Sequence, residues 1–484
     1  MPNKTDFFDY EPIRPNRSRT REENLDPTSW ISPQSDNGQQ KAEGHQESLS
    51  PSSADLDYGA PVAQTRLARL LKKGHTLTFL GLFLFTIVLY FRPYELFESL
   101  SAFNTLAFWL AIATLVIFLP TQFGLEGNLS WRPREVNLVL LLTLAGLMSI
   151  PTAINPGEAW DQFIDVFIKA VLMFIVMVNV VRTERRLKSM LILALAVSYF
   201  LAIHAIIDYR SGAFSVEGYR ISGVIGNLFA NPNDLAMHLV TIAPIAVALL
   251  FTTRNPLMKL VYSVGAVLIV IAIVVTYSRG GFIGLCFIGT SLALKFGRRK
   301  PVIVVVLAVA FLVLFLGLAP GNYIMRLASI FDSGLDPNGS SSARSELFKR
   351  SVFVAIAHPI FGIGMGNFHI VSIREAVSHN SYTQVASEMG FAASVIYTMF
   401  IVAPLRRLRA IERKMVLAGD LSRFYYLSIG LQVSLIGYMV CSFFASVAYL
   451  FNVYYLVGYA VCARRLYEAE LNKVPKSSAA RNSI

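Results

Sequence analysis

Long apolar runs alternate with short polar links along most of the chain, and most runs are close to the length that crosses a bilayer. About 20 apolar residues in a helix span the roughly 30 Å hydrocarbon layer. The runs lie at residues 76–91, 102–120, 136–153, 163–181, 189–207, 235–252, 260–278, 281–296, 301–319, 389–405, 424–442 and 446–463. This pattern predicts an all-α fold, a polytopic transmembrane helix bundle of about twelve spans.

Two of these runs carry charged residues. Asp165 and Lys169 are four residues apart, so we expect them to pair on one helix face. The run at 281–296 is short, and Lys295 is expected to extend its ammonium group toward the headgroups. Both runs therefore remain predicted spans.

The ends of the chain are polar. Residues 1–74 are rich in Ser, Pro, Asn, Asp, Glu and Arg, which predicts a disordered tail, and residues 464–484 form a second tail. Lys and Arg concentrate on one side of the predicted bundle, at 182–188, 298–300 and 406–414. Because cytoplasmic loops carry this excess, both tails are predicted to be cytoplasmic.

Composition supports a membrane protein. Of the 484 residues, 54% are hydrophobic and 15% are charged, whereas soluble domains carry about 25% charged residues. The net charge is +12, and the charged residues lie between apolar runs. This position indicates that they set the membrane topology and contact membrane lipid, and that the protein does not bind nucleic acid. The three cysteines show no zinc or disulfide spacing. Residues 75–463 are therefore predicted to form the transmembrane domain.

Two segments on the predicted outward side are long, at 208–233 and 320–388. Loops of this length are usually functional or disordered, and neither has a disordered composition. The second contains a helix-like stretch at 345–357 and a glycine-rich stretch at 361–368. The latter has no Walker lysine, so a flexible turn that brings the backbone close to another group is the preferred interpretation.

The outward segments also hold side chains that suit anion chemistry. A guanidinium group binds phosphate bidentately and stays charged. The outward arginines considered are Arg210, Arg220, Arg279 and Arg344. His379 is a candidate base near neutral pH. The alternatives are an arginine that reaches a headgroup at position 279 and an interfacial histidine without a chemical role.

A polyprenyl-pyrophosphate-linked glycan would suit this set. Arginines would hold the pyrophosphate as it leaves, and a base would deprotonate the acceptor hydroxyl. The outward loops contain no Asp-x-Asp pair, which disfavours a metal-dependent transferase. A lipid-linked glycan flippase or other transporter without bond chemistry is the alternative from another class. It would need polar groups within its spans, and few charges occur there.

Several motifs, in order, resemble the O-antigen ligase and polymerase superfamily. They lie at residues 219–223, 231–236, 276–281, 342–348, 359–368 and 379–380, with Gly390. The resemblance covers about residues 210–411, and residues 1–74 have no counterpart in it. The second glycine that the family has after the histidine motif is Ala393 here.

The resemblance implies a metal-independent, inverting glycosyltransferase of the inner membrane. It would move glycan from an undecaprenyl-pyrophosphate carrier to an acceptor hydroxyl at the periplasmic face, without a cofactor. The acceptor would be lipid A core, a growing polysaccharide or a protein. The implied catalytic residues are Arg220, Arg279 and His379.

Five further residues are expected to bind substrate. They are Arg210, Arg344, Asn231, Asn233 and Glu388. Arg210 competes with Arg220 for the first arginine position of the motif, and the Asn-Pro-Asn register favours Arg220. Glu388 is interpreted as a second acid–base group or as a partner that orients an arginine, and the alternative is an acid at a helix N-terminus.

The orientation is testable by cysteine labelling. A membrane-impermeant maleimide added from outside should label Gly339→Cys and not Arg299→Cys, because the positive charge places residue 299 in the cytoplasm. Labelling of Arg299→Cys without Gly339→Cys would invert the predicted topology.

Overall fold

The computed structural model describes residues 60–214, 216, 218–297, 302 and 340–473, and helices dominate these ranges. One isolated antiparallel bridge joins Val216 and Arg220. The helices are α1 (Ala60–Phe91), α2 (Pro93–Leu96), α3 (Leu106–Glu126), α4 (Arg134–Ser149), α5 (Pro156–Asp161), α6 (Ile168–Val180), α7 (Glu184–Ser211), α8 (Gly226–Phe229), α9 (Pro232–Thr252), α10 (Pro256–Val275), α11 (Arg279–Gly297), α12 (Ser340–Ala357), α13 (Phe368–Val371), α14 (Ser381–Met389), α15 (Phe391–Leu417), α16 (Arg423–Cys441) and α17 (Phe451–Lys473). The all-α prediction is confirmed.

Within the described ranges, nine segments are long and apolar enough to cross a membrane. They are Leu70–Leu96, Ser99–Glu126, Pro156–Val180, Glu184–Ser211, Pro232–Thr252, Pro256–Val275, Arg279–Phe296, Phe391–Leu417 and Arg423–Phe444. Of the other predicted spans, the run at 136–153 forms the 16-residue α4, and the run at 446–463 lies largely in α17. The run at 301–319 lies outside the described residues, apart from residue 302. The polytopic bundle is confirmed, and the number twelve stays a prediction.

The first and last of these helices, α1 and α17, extend beyond the predicted spans. Helix α1 begins at Ala60, within the segment expected to be a disordered tail, where Ala, Leu, Arg and Lys all favour helix. Helix α17 continues to Lys473. The rest of the two tails, residues 1–59 and 474–484, lies outside the described residues, as does the basic link 298–300.

Three arginines close the C-terminal end of α6, at what we call the lower end of the bundle. The last carbonyl groups of an α-helix lack donors within the helix, and cations are favoured there. The arginine-to-carbonyl bonds are Arg465 to Val178 (2.6 Å), Arg182 to Asn179 (2.5 Å) and Arg186 to Val180 (2.8 Å). Since these arginines belong to α17, to the α6–α7 link and to α7, the bonds join three elements at one place.

A buried ion pair joins α4 to α17 at the same end. Glu135 is fully buried and accepts two hydrogen bonds from Arg464, at 2.7 and 3.0 Å. Such a bidentate pair is shorter and stronger than a neutral hydrogen bond. It places residue 464 inside the helical bundle, although the sequence pattern assigned this residue to the polar tail.

The two charged runs have different outcomes. Lys169 lies 2.9 Å from Asp165, as predicted. Lys295 is paired within the protein, and its extension toward headgroups stays a prediction. Its ammonium group lies 2.5 Å from Glu412 and 3.1 Å from the Gln432 side chain, because α15 and α16 supply polar partners within reach.

The Glu135–Arg464 pair should carry a measurable share of the stability. Replacing Glu135 with Gln removes the buried carboxylate that bonds Arg464 twice and leaves only the more distant Glu468, at 3.8 Å. Breaking a buried ion pair in this way typically costs about 3–5 kcal/mol. Glu470→Gln is the matched control, because Glu470 pairs with Arg423 at an exposed site, where ion pairs contribute about 0–1 kcal/mol. Thermal unfolding of the purified protein in detergent should show a much lower midpoint for Glu135→Gln. Equal midpoints for the two variants would contradict this role.

Candidate functional site

Arg220 is held at the opposite end of the bundle, which we call the upper end. Its side chain is buried, and its Nε donates to the carbonyl of Thr276 (3.2 Å) after α10. Its Nη2 donates to Asn233 Oδ1 (3.1 Å) in the first turn of α9. The same Asn233 oxygen accepts from Ser278 Oγ (2.8 Å). Arg220 is therefore fixed between the end of one helix and the starts of two others.

Asn231 and Asn233 organise this contact. Asn231 is the N-cap of α9, and its Oδ1 accepts from the backbone N–H (2.9 Å) and the Nδ2 (2.9 Å) of Asn233. Pro232 follows at the first helical position, where no N–H partner is needed. Because Asn233 Nδ2 is directed to Asn231, its oxygen faces Arg220. The two asparagines thus position an arginine, and direct substrate binding by them stays a prediction.

Arg279 begins α11 directly beside this network. Tyr277 has a positive φ of 54°, which turns the chain sharply between α10 and α11. Ser278 Oγ then accepts from the Gly281 N–H (3.1 Å), in the manner of a helix cap. Arg279 is half-buried. Arg279 directly follows Ser278, and Ser278 bonds the same Asn233 side chain that holds Arg220. Arg279 therefore lies next to the contacts that fix Arg220.

His379 lies in the segment that leads into α14. Its φ of 52° is left-handed, a conformation in which histidine is more frequent than most residues. The next residue, Asn380, caps α14 by accepting from two backbone N–H groups at 2.9 and 3.0 Å. Its Nδ2 donates to the carbonyl of Phe443 (3.1 Å). A Cβ on Gly280 would lie 3.0 Å from Phe444, so the turn at 442–446 contacts both the His379 segment and the start of α11.

The charge of Arg344 acts both on His379 and on Asp234, which follows Asn233. Burial of the imidazole and the positive charge of Arg344 lower the pKa of His379 to about 4. The Arg344 charge also acts on Asp234, in the first turn of α9 beside Asn233. At neutral pH the imidazole is uncharged, and an uncharged imidazole can accept a proton.

We call Arg220, Arg279, Arg344 and His379 the arginine–histidine cluster. The contacts that connect them run through Asn233, Ser278, Asp234 and the turn at 442–446. Arg279, Arg344 and His379 are each partly accessible, whereas Arg220 is buried. An accessible, positively charged surface beside a neutral histidine can bind a polyanion and take up a proton from a neighbouring hydroxyl.

Arg210 and Glu388 lie apart from these contacts. Arg210 is exposed in the last turn of α7 and has no hydrogen bond to the described residues of the cluster. Glu388 is buried in the last turn of α14, so the interpretation as an acid at a helix N-terminus is wrong. It accepts from the Gly366 N–H (3.0 Å) and the Tyr449 O–H (2.8 Å). Burial raises the pKa of Glu388 to about 7, against the opposing effect of these hydrogen bonds.

The glycine-rich stretch is a turn that interlocks with the end of α14. Ile363 N–H donates to the Ser387 carbonyl (2.9 Å), and the Gly364 N–H donates to the Glu388 carbonyl (3.0 Å). Gly390 has φ 91°, and a Cβ there would lie 2.1 Å from the carbonyl oxygen of Ile360. No other residue fits this approach. The prediction of a turn that brings the backbone close to another group is confirmed.

Three contributors to the site were not foreseen from the sequence: Asp234, Ser278 and the turn at 442–446. Asp234 follows the Asn-Pro-Asn motif. Because an acid in the first turn of a helix is usual, its presence did not indicate a role in the site. Ser278 stands beside Arg279 and has the hydroxyl of a capping residue. The turn at 442–446 joins the predicted spans 424–442 and 446–463. Its apolar sequence therefore indicated only a link between two spans.

The comparison with protein families gives one match. Residues 264–398 match the family model described as O-antigen ligase. The match includes Arg279, Arg344 and His379, whereas Arg220 and Asn233 precede it. No curated protein matches the chain. The matched segment, with the resembling motifs before it, supports the resemblance to the O-antigen ligase and polymerase superfamily.

Proposed function

We propose that the protein is a glycosyltransferase that moves glycan from an undecaprenyl-pyrophosphate carrier to an acceptor hydroxyl. The observation that carries this proposal is the set of contacts that holds Arg220 and the start of α11 at Asn233, at the end of the bundle where Arg344 acts on His379. Guanidinium groups bind phosphate oxygens bidentately, so several arginines suit a pyrophosphate, and the neutral imidazole would supply the base. The family match supports the same reaction class.

The arginines would have different tasks. Arg279 and Arg344 are partly accessible and would contact the phosphate oxygens directly. Arg220 is held by Thr276 and Asn233, so its charge is preorganised and needs little rearrangement when the donor binds. Together they would stabilise the negative charge that grows on the bridging oxygen as the bond to the sugar breaks.

The transfer would be a single displacement with inversion. The acceptor oxygen forms a bond to the anomeric carbon, and the bond from that carbon to the pyrophosphate oxygen breaks. The hydroxyl proton passes to the lone pair on the unprotonated ring nitrogen of His379. The carrier pyrophosphate leaves with the bonding electrons and is held by the arginines. In this proposal no metal ion is required, because the arginines supply the positive charge.

We place the cluster at the periplasmic face of the inner membrane, with both termini in the cytoplasm. The lower end supports this orientation because it holds Arg182, Arg186, Arg464 and Arg465. Exposed basic residues also follow the apolar part of α15, at 406–414. Positive charge of this kind marks the cytoplasmic side.

The acceptor would be lipid A core, a growing polysaccharide or a protein. Purified protein should be incubated with radiolabelled lipid-linked glycan and each acceptor in turn. The proposal requires label on one acceptor and release of the carrier pyrophosphate. If vesicles that contain the protein move lipid-linked glycan from one leaflet to the other and no glycosidic bond forms, the protein is a transporter and not a transferase.

Arg279 should not be replaceable by Lys. A point charge on a flexible stem does not reproduce a bidentate fork, and loss of one preorganised stabiliser of an anion costs about 10²–10³ in rate. His379→Ala should lose about 10²–10⁴. Arg254→Lys, at an exposed position in the α9–α10 link, is the matched control and should keep full activity. Glycan transfer is measured in membranes with equal protein levels, with and without EDTA.

Two results would contradict this mechanism. Full activity of both Arg279→Lys and His379→Ala would remove the proposed roles of these side chains. Loss of activity in EDTA, restored by a divalent ion, would indicate a metal-dependent transferase.

The pH profile tests the state of His379. With a pKa of about 4, the imidazole is neutral across the physiological range, so kcat/KM should stay flat down to about pH 5. Arg344→Gln removes a positive charge that opposes protonation, so the acidic limb should move upward but stay below 6.5, because burial still lowers the pKa. Lys349→Gln, an exposed change on the same helix, should leave the limb in place. A wild-type limb at 6.5 would show that the imidazole is not held neutral.

A further inference from the structure

The last turns of α15, beyond its apolar part, carry a dense group of exposed cations at the lower end of the bundle. Residues 406–414 include five exposed basic residues. They are Arg406, Arg407, Arg409, Arg413 and Lys414, and we call them the basic face. Because residues three or four apart are neighbours on a helix, four of these five side chains surround the exposed Ala410.

The opposite side of these turns is anchored in the bundle. Leu408 and Ile411 are buried, and α15 packs against α4, α16 and α17. Glu412 accepts hydrogen bonds from Lys295 of α11 (2.5 Å) and from the Gln432 side chain of α16 (2.9 Å). The basic face therefore lies on a fixed helix and points away from the protein core.

No carboxylate in the described part of the chain forms an ion pair with the basic face. The nearby acidic residues pair with other cations. Glu412 pairs with Lys295, and Arg423 pairs with Glu184 (2.7 Å) and Glu470 (3.0 Å). Like charges three or four residues apart destabilise a helix. A negatively charged partner from outside the described residues would relieve this repulsion.

The chain itself contains a segment of opposite charge. Residues 22–57 hold eight acidic residues and one lysine, a net charge of −7, and they lie outside the described residues. This segment ends just before Ala60, where α1 begins, and α1 belongs to the same end of the bundle, because His75 lies 3.4 Å from Arg186 there. A chain of this length can extend to about 120 Å, so the segment can reach any surface at the lower end.

We propose that residues 22–57 bind to the basic face of α15 as an acidic segment of the same chain. A tethered ligand has an effective concentration of the order of millimolar, so a weak attraction for each charge is sufficient. Anionic lipid headgroups attract the same cations, but the segment brings all its charges on one tether. This contact lies at the lower end and does not depend on the reaction proposed for the upper end.

Photo-crosslinking of the full-length protein tests the contact. A benzophenone maleimide is attached at Ala410→Cys in a Cys286→Ser background, since Cys441 and Cys462 are buried. The protein is placed as single copies in nanodiscs that contain phosphatidylglycerol. After illumination, mass spectrometry should find the crosslinked peptides within residues 22–57. The same probe at Leu257→Cys, another exposed position at the lower end, should not capture this segment.

Charge should determine the crosslinking yield. Arg406→Gln and Arg413→Gln, combined in one variant, should lower the yield about fivefold, because two exposed charge pairs are lost. Lys72→Gln with Lys73→Gln is the matched control, which removes two exposed cations of α1 and should leave the yield within about twofold of the wild-type value. Raising the salt from about 0.1 M to about 1 M shortens the screening length from about 10 Å to about 3 Å and should remove most of the wild-type yield.

Three results would overturn the proposal. Crosslinks to phospholipid without crosslinks to residues 22–57 would show that headgroups occupy the basic face. Crosslinks spread evenly over residues 1–57 would show that the probe meets the chain by proximity alone. A yield that changes neither in the double arginine variant nor in high salt would show that charge does not hold the segment on α15.

Discussion

The ends of helices need hydrogen-bond partners, and inside an apolar bundle the protein itself must supply them. This constraint organises both ends of the helix bundle. At the lower end, guanidinium groups donate to the last carbonyls of α6. At the upper end, Asn231 and Asn380 cap α9 and α14, and Arg220 donates to the Thr276 carbonyl after α10. Polar side chains are thus concentrated where the helices stop.

At the upper end, the groups that satisfy the backbone also fix the charges. Asn233 accepts from both Arg220 and Ser278, so one amide oxygen links two helix starts to an arginine. The cap formed by Asn380 likewise determines where His379 lies. Because these bonds exist before a ligand arrives, little ordering cost remains for the reaction itself. The structural and the proposed chemical roles of the motifs are therefore hard to separate.

The sequence predicted the features that depend on local pattern. Run length identified the helical bundle, and the i,i+4 spacing identified the Asp165–Lys169 pair. Contacts between distant segments were not predictable in this way. Lys295 meets Glu412 across 117 positions, and only the packing of α11 near α15 and α16 reveals it. The same holds for Arg344, whose proximity to His379 depends on how α12 lies against the segment before α14. Glu388 was identified as a site residue, but its burial against Gly366 and Tyr449 required the fold.

The bonds of Arg220 cross the boundary of the family match, which begins at residue 264. Arg220 and Asn233 lie before that boundary, and their partners Thr276 and Ser278 lie after it. A chimera joined near residue 264, within α10, would combine two halves of one hydrogen-bond network from different parents. Recombination between divergent relatives should therefore succeed only where the incoming segment restores both contacts. The two halves of the chain are consequently expected to be inherited together.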